Sequence, residues 1–268
     1  MICFIFSPFH FPVSISRFGC YFFTCLFPNT MIYLIIRKSI SFQEDFKMER
    51  HALAVKINDG KMNDYRKKLG EVWDRTTRLL DRTGIRNFSI WNAESLVFVY
   101  YECDDGVRPS EADASEADSL MREMDSEGLY TWISTPGKDM RLMYHNFGIV
   151  RESKELIRHR MFMTKLKPGC EEEYKARHDG LIAQRGDTVD PGPDSNFSIW
   201  SAGGYIFGYD EIDTTMEVEE TPEARESTIA WETRQLEIMD WITNDVDWMT
   251  GEHHVSSIRL AWHPGKIS

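Results

Sequence analysis

Residues 48–268 read as an α+β protein, with two tandem ferredoxin-like βαββαβ repeats whose sheets close into a single-chain dimeric α+β barrel. Three observations predict this: a repeat in constant register, the same order of strand-like and helix-like segments in each copy, and one bare sheet face per copy.

The repeat comes first. Gly60 and Gly169 are 109 residues apart, as are Tyr65 and Tyr174. The same offset joins Asn87-Phe88-Ser89-Ile90-Trp91 to Asn196-Phe197-Ser198-Ile199-Trp200, and Trp132-Ile133 to Trp241-Ile242. Arg141-Leu142-x-Tyr144-His145 answers Arg259-Leu260-x-Trp262-His263 at an offset of 118, so the second copy has gained nine residues. The copies are 48–149 and 150–268.

Each copy begins with a strand-like run, 51–57 or 159–166. Polar segments with apolar positions at helical spacing follow, 61–82 and 170–185. Two short β-rich runs around a turn come next, Phe88–Trp91 with Leu96–Glu102, and Phe197–Trp200 with Tyr205–Glu211. The acid-rich stretches 102–118 and 210–226 read as solvated linkers to a second helix, near 119–134 and 225–246. A last strand covers 140–147 or 256–263. Helices on one face leave the other face of each sheet bare, and packing two such faces together buries both.

The first 47 residues do not match the rest. They hold ten of the sixteen phenylalanines, but Pro8, Pro12 and Pro28 interrupt the apolar runs, which argues against a membrane helix. No basic start or small-residue cleavage site marks a signal peptide. Translation is expected to begin at Met48, leaving 1–47 as a mis-assigned or disordered extension.

The chain has 42% hydrophobic and 28% charged residues, a soluble globular composition, and its net charge of -12 disfavours nucleic acid. The body carries two isolated cysteines, Cys103 and Cys170, and no C-x-x-C pair. Neither a zinc site nor a disulfide framework is suggested, and a reducing cytoplasm fits. No metal is expected. His253-His254 reads as a polar loop, and the sequons at Asn87 and Asn196 as by-products of the repeat. Glu102 and Glu211 are either second acid–base groups or solvated strand ends.

Chemistry is concentrated in the first helix of the second copy. Tyr174 and His178 are four residues apart and project from one face, where imidazole and phenol can exchange protons near neutral pH. The segment Glu172-Glu173-Tyr174-Lys175-Ala176-Arg177-His178, followed by Asn196-Phe197-Ser198-Ile199-Trp200, resembles the L-rhamnose mutarotase family. The resemblance implies interconversion of the α and β anomers of a deoxyhexose, without cofactor. It implies His178 as proton donor, Tyr174 as a sugar-binding residue, Phe197 where the family has a substrate-contacting tyrosine, and Trp241 as a wall for the sugar. An aromatic such as Trp241 or Trp200 suits the apolar face of a deoxysugar.

In the first copy the histidine position is Leu69, which cannot move a proton, so that half should be catalytically silent. The expected partner is a monosaccharide, with no nucleic acid and no membrane; further homodimerisation stays open. Two rivals remain. One is a monooxygenase-type enzyme on the same barrel, using Trp200, Asn196 and His178. The other is a non-catalytic binding module.

Overall fold

A computed structural model describes residues 48–151, 153–219, 221–242 and 258–265. The N-terminal extension, the His253-His254 pair and the end of the expected helix 225–246 lie outside them.

The first copy runs β1 (Met48–Ile57), α1 (Met62–Thr83), β2 (Arg86–Ala93), β3 (Leu96–Asp104), α2 (Glu111–Met124), β4 (Tyr130–Trp132) and β5 (Arg141–Asn146). The second runs β6 (Ile157–Leu166), α3 (Glu171–Arg185), β7 (Asp194–Ala202), β8 (Tyr205–Asp213), α4 (Pro222–Gln235), β9 (Met239–Trp241) and β10 (Ile258–His263). The architecture is α+β, with two five-stranded antiparallel sheets and four helices among the described residues.

Local chemistry explains the helices. In α1 the residues Tyr65, Leu69, Val72, Leu79 and Leu80 are buried, a stripe at helical spacing. The helix stops at Gly84, whose φ of 68° is cheap without a Cβ and whose N–H reaches Leu80 O.

The second helix of each copy differs from expectation. It starts earlier, so part of each acidic stretch is helix rather than linker. Ser110 Oγ accepts the Asp113 N–H at 3.2 Å, and Glu111 and Asp113 fall in a first turn that favours negative charge. Thr221 caps α4 in the same way, with Pro222 in the first turn. Each helix also ends early, and Trp132 and Trp241 fall on the short strands β4 and β9 instead.

The largest correction is topological. The sheet orders are β10-β2-β3-β1-β4 and β5-β7-β8-β6-β9. The last strand of each copy therefore does not stay at home. β5 pairs with β7 of the second copy, and β10 pairs with β2 of the first. The place beside β1 or β6 is taken by β4 or β9. With that edge filled, the last strand satisfies its backbone groups on the open edge of the other copy.

The faces turned away from the helices pack on each other. Ala52, Trp91 and Phe98 meet Met163, Trp200 and Phe207 in one core. Phe98 stacks on Phe207 at 4.8 Å between centroids, and Tyr100 on Tyr209 at 3.8 Å. Such ring pairs contribute about 0.5–1.5 kcal/mol each beyond their buried area.

At the end of this core sits a polar cluster. Asn87 and Asn196, the first residues of the repeated pentapeptide, adopt φ of 49° and 53° beside strand irregularities, a conformation that asparagine tolerates. Asn87 Nδ2 lies 2.9 Å from Glu102 Oε1 and 2.7 Å from Glu211 Oε1, and Asn196 Nδ2 reaches the same two oxygens. Glu102 and Glu211 are buried rather than solvated, and both asparagines are buried, unlike glycosylation acceptors. Lys154 Nζ donates to Glu211 Oε2 at 2.6 Å. Burial alone would raise the Glu211 pKa, but Lys154 and Asn196 outweigh it and hold the carboxyl below its usual value.

Candidate active site

Tyr174 and His178 lie on the buried face of α3, against the helix-covered side of the second sheet. Their rings are 4.2 Å apart, and His178 Nδ1 is 2.8 Å from the Tyr174 carbonyl oxygen. A carbonyl only accepts, so Nδ1 carries the proton and Nε2 the lone pair. His178 is 3% exposed, so the helix face that carries it is turned into the core. Desolvation pulls its pKa down to about 4, partly offset by the Tyr174 carbonyl, so the imidazole is neutral at pH 7. Burial raises the Tyr174 phenol.

Two further rings enclose the histidine. Tyr144 stands 5.4 Å from it at 61°, and Trp231 of α4 stands 5.5 Å away at 83°. Tyr144 also meets Phe197 at 5.4 Å. Because Tyr144 belongs to β5, the first copy supplies one of the rings around the second copy's His178. Burial raises the Tyr144 pKa, while the positive charge of Arg185 opposes the rise.

The expected residues do not all meet. Tyr174, His178 and Phe197 share the helix-side core. Trp241 alternates with Met239, a member of that core, and so points to the same side of β9. Trp200 lies on the opposite face of its sheet, in the inter-sheet core, where Nε1 donates to Ser198 Oγ at 2.9 Å. Asn196 belongs to the glutamate cluster.

An acid was missed. Asp210 on β8 shares the helix-covered face with Ile206 and is 1% exposed. Burial raises it to about 7, with Asp194 adding to the rise and Arg160, which donates to it, opposing. Its counterpart in the repeat is Tyr101. An acid at a strand position whose alternation calls for burial was the available signal. Tyr144 lies within the repeat, but the sequence carries no sign of its partner, since the strand exchange is invisible there.

The first copy differs at these positions. Tyr65 and Leu69 line a cavity of about 470 Å³ together with Phe88, Ile90, Tyr130 and Trp132. The second copy replaces Leu53 by Phe162 and Val99 by Gly208. The Phe162 ring occupies the space of a side chain at 208: a Cβ there would lie 1.9 Å from its Cε1.

Among curated proteins, none matches the chain. A solved structure from Fusobacterium nucleatum, provisionally assigned as a monooxygenase, has 8% identity and a TM-score of 0.37, covering 72% of this chain and 87% of that one. No helix of the described residues is long and apolar enough to cross a membrane. The L-rhamnose mutarotase family matches residues 50–126 and 159–263, one segment in each copy. With more than half of its length matched, and the Tyr174–His178 pair inside the second segment, the chain belongs to the L-rhamnose mutarotase family.

Proposed function

We propose that the protein interconverts the α and β anomers of a deoxyhexose such as L-rhamnose, at a site in the second copy built around His178. The chain is then a fused pair of ferredoxin-like units, one catalytic and one supporting. The observation that carries this reading is the paired Tyr174 and His178 within the family match, with the imidazole held in one tautomer.

The neutral imidazole fits the first step better as acceptor than as donor. Nε2 takes the proton of the anomeric hydroxyl as the bond between the anomeric carbon and the ring oxygen breaks. The same nitrogen returns that proton to the ring oxygen, giving the open aldehyde. Rotation of the carbonyl and the reverse sequence close the other anomer, with no net proton gained or lost. Positioned acid–base groups contribute about 10²–10⁴ in rate, sufficient for a reaction that also proceeds in water. Tyr174 and Asp210 are hydrogen-bonding groups for the sugar, and Trp241 is a wall for its apolar face. Tyr144 and Trp231 cover His178, so the sugar enters as these rings turn aside.

The test is saturation-transfer NMR of anomeric exchange with L-rhamnose, L-fucose and common hexoses. Faster exchange with at least one deoxyhexose supports the reading; uncatalysed rates with every sugar sink it.

The cavity of the first copy favours a second role there, as a non-catalytic pocket. Its walls are mainly aliphatic and aromatic, and Leu69 replaces the histidine. An apolar molecule suits it better than a sugar.

A further inference from the structure

Three side chains that the proposed reaction leaves unused converge on the wall of the first copy's cavity. Glu49 and His51 stand two apart on β1 and so face one side, and Cys103 of β3 is the register partner of Glu49. His51 Nε2 is 3.4 Å from Cys103 Sγ and 3.8 Å from Glu49 Oε2, and that oxygen is 3.9 Å from the sulfur.

These separations come close to those of a coordination shell. Tetrahedral bonds of about 2.0 Å to nitrogen and oxygen and about 2.3 Å to sulfur place ligand atoms about 3.3–3.6 Å apart. Closing the observed triangle onto a central ion takes shifts of only about half an ångström. The histidine is already oriented: Nδ1 lies 2.9 Å from Asp139 Oδ2 and donates there, which turns Nε2 towards Cys103 and Glu49. Tyr101 stacks on the ring at 4.6 Å and fixes its plane. The second copy carries Arg158, Arg160 and Ile212 at the three equivalent positions, a set that repels a cation.

We propose that Glu49, His51 and Cys103 form a site for a zinc-class divalent cation, with Asp139 as its positioning residue and an open coordination position towards the cavity. One thiolate, one imidazole and one carboxylate suit a borderline-soft ion. The thiol proton leaves as the ion enters, while Nδ1 retains its proton on Asp139. Arg108 Nη1, now 3.6 Å from Glu49 Oε2, gives up that contact. The site is independent of anomer exchange, so either can fail without the other.

The probe is cobalt(II), added to the reduced full chain. Saturation near one equivalent should bring a thiolate-to-cobalt band and the intense visible bands of a tetrahedral site, both bleached by zinc. Cys103→Ser should lose the thiolate band, and Cys170→Ser should keep it. His51→Gln should weaken binding at least tenfold, and Asp139→Asn about tenfold with the band retained. Absence of a thiolate band in the parent, or its persistence in Cys103→Ser, overturns the proposal. If Cys103→Ser does not fold, the His51→Gln titration decides: parental affinity there overturns it equally.

Discussion

The Tyr144 ring, carried on the last strand of the first copy, stands edge-on to the His178 imidazole of the second at 5.4 Å. The copy without the histidine thus completes the surroundings of the copy that has it. Removing the first copy would strip the second of a strand and of one of the rings around His178.

His178→Leu installs the first copy's own residue and should abolish most of the rate acceleration, by about 10²–10⁴. It also carries a pH signature. The folded state holds His178 near 4 against 6.5 for the free group, so between those values the unfolded chain binds the extra proton. Parent stability should rise with pH across that window, by roughly 3 kcal/mol from this group, and fall away as the pH drops towards 4. Urea unfolding at several pH values should show a flatter profile for His178→Leu. Parental exchange rates in that variant would show that His178 is only a core residue.

Gly208→Val should destabilise the fold by about 1–3 kcal/mol, because the new side chain meets the Phe162 ring. Phe162→Leu with Gly208→Val restores the first copy's pair, Leu53 and Val99, and should recover much of that loss. A double-mutant cycle on denaturant midpoints checks this, and additive effects would refute the contact.

Lys154→Met should cost about 3–5 kcal/mol, since it leaves the buried Glu211 carboxylate without its cation. Adding Glu211→Gln to it should return a large part. The measurement is again equilibrium unfolding.

The exchanged strands should make unfolding of the two copies a single transition. Made separately, segment 48–139 lacks the β10 that pairs with its β2, and segment 158–265 lacks β5 and carries an orphaned β10, so each should fail to melt cooperatively. Two calorimetric peaks for the full chain would count against this coupling.

The repeat, most strand-like runs and the apolar stripe of α1 are legible in the sequence. Strand alternation and helical spacing are local signals, and an identical pentapeptide held the register between copies. The sequence also singled out Tyr174 and His178, four apart on one helix face. The partners of β5 and β10 were decided only by tertiary structure. A six-residue strand carries no mark of which edge it will join; β4 and β9 occupy the home edge and leave the other copy's edge open. The burial of His178 was equally hidden, because the rings that enclose it come from β5 and α4. Trp200 illustrates the converse: its neighbour Ile199 faces the helices, so a period of two sends the tryptophan into the inter-sheet core, away from the histidine. Glu49, His51, Cys103 and Asp139 are scattered over some ninety residues. Only the antiparallel pairing of β1 with β3, and the return of the chain past β4, bring their side chains together.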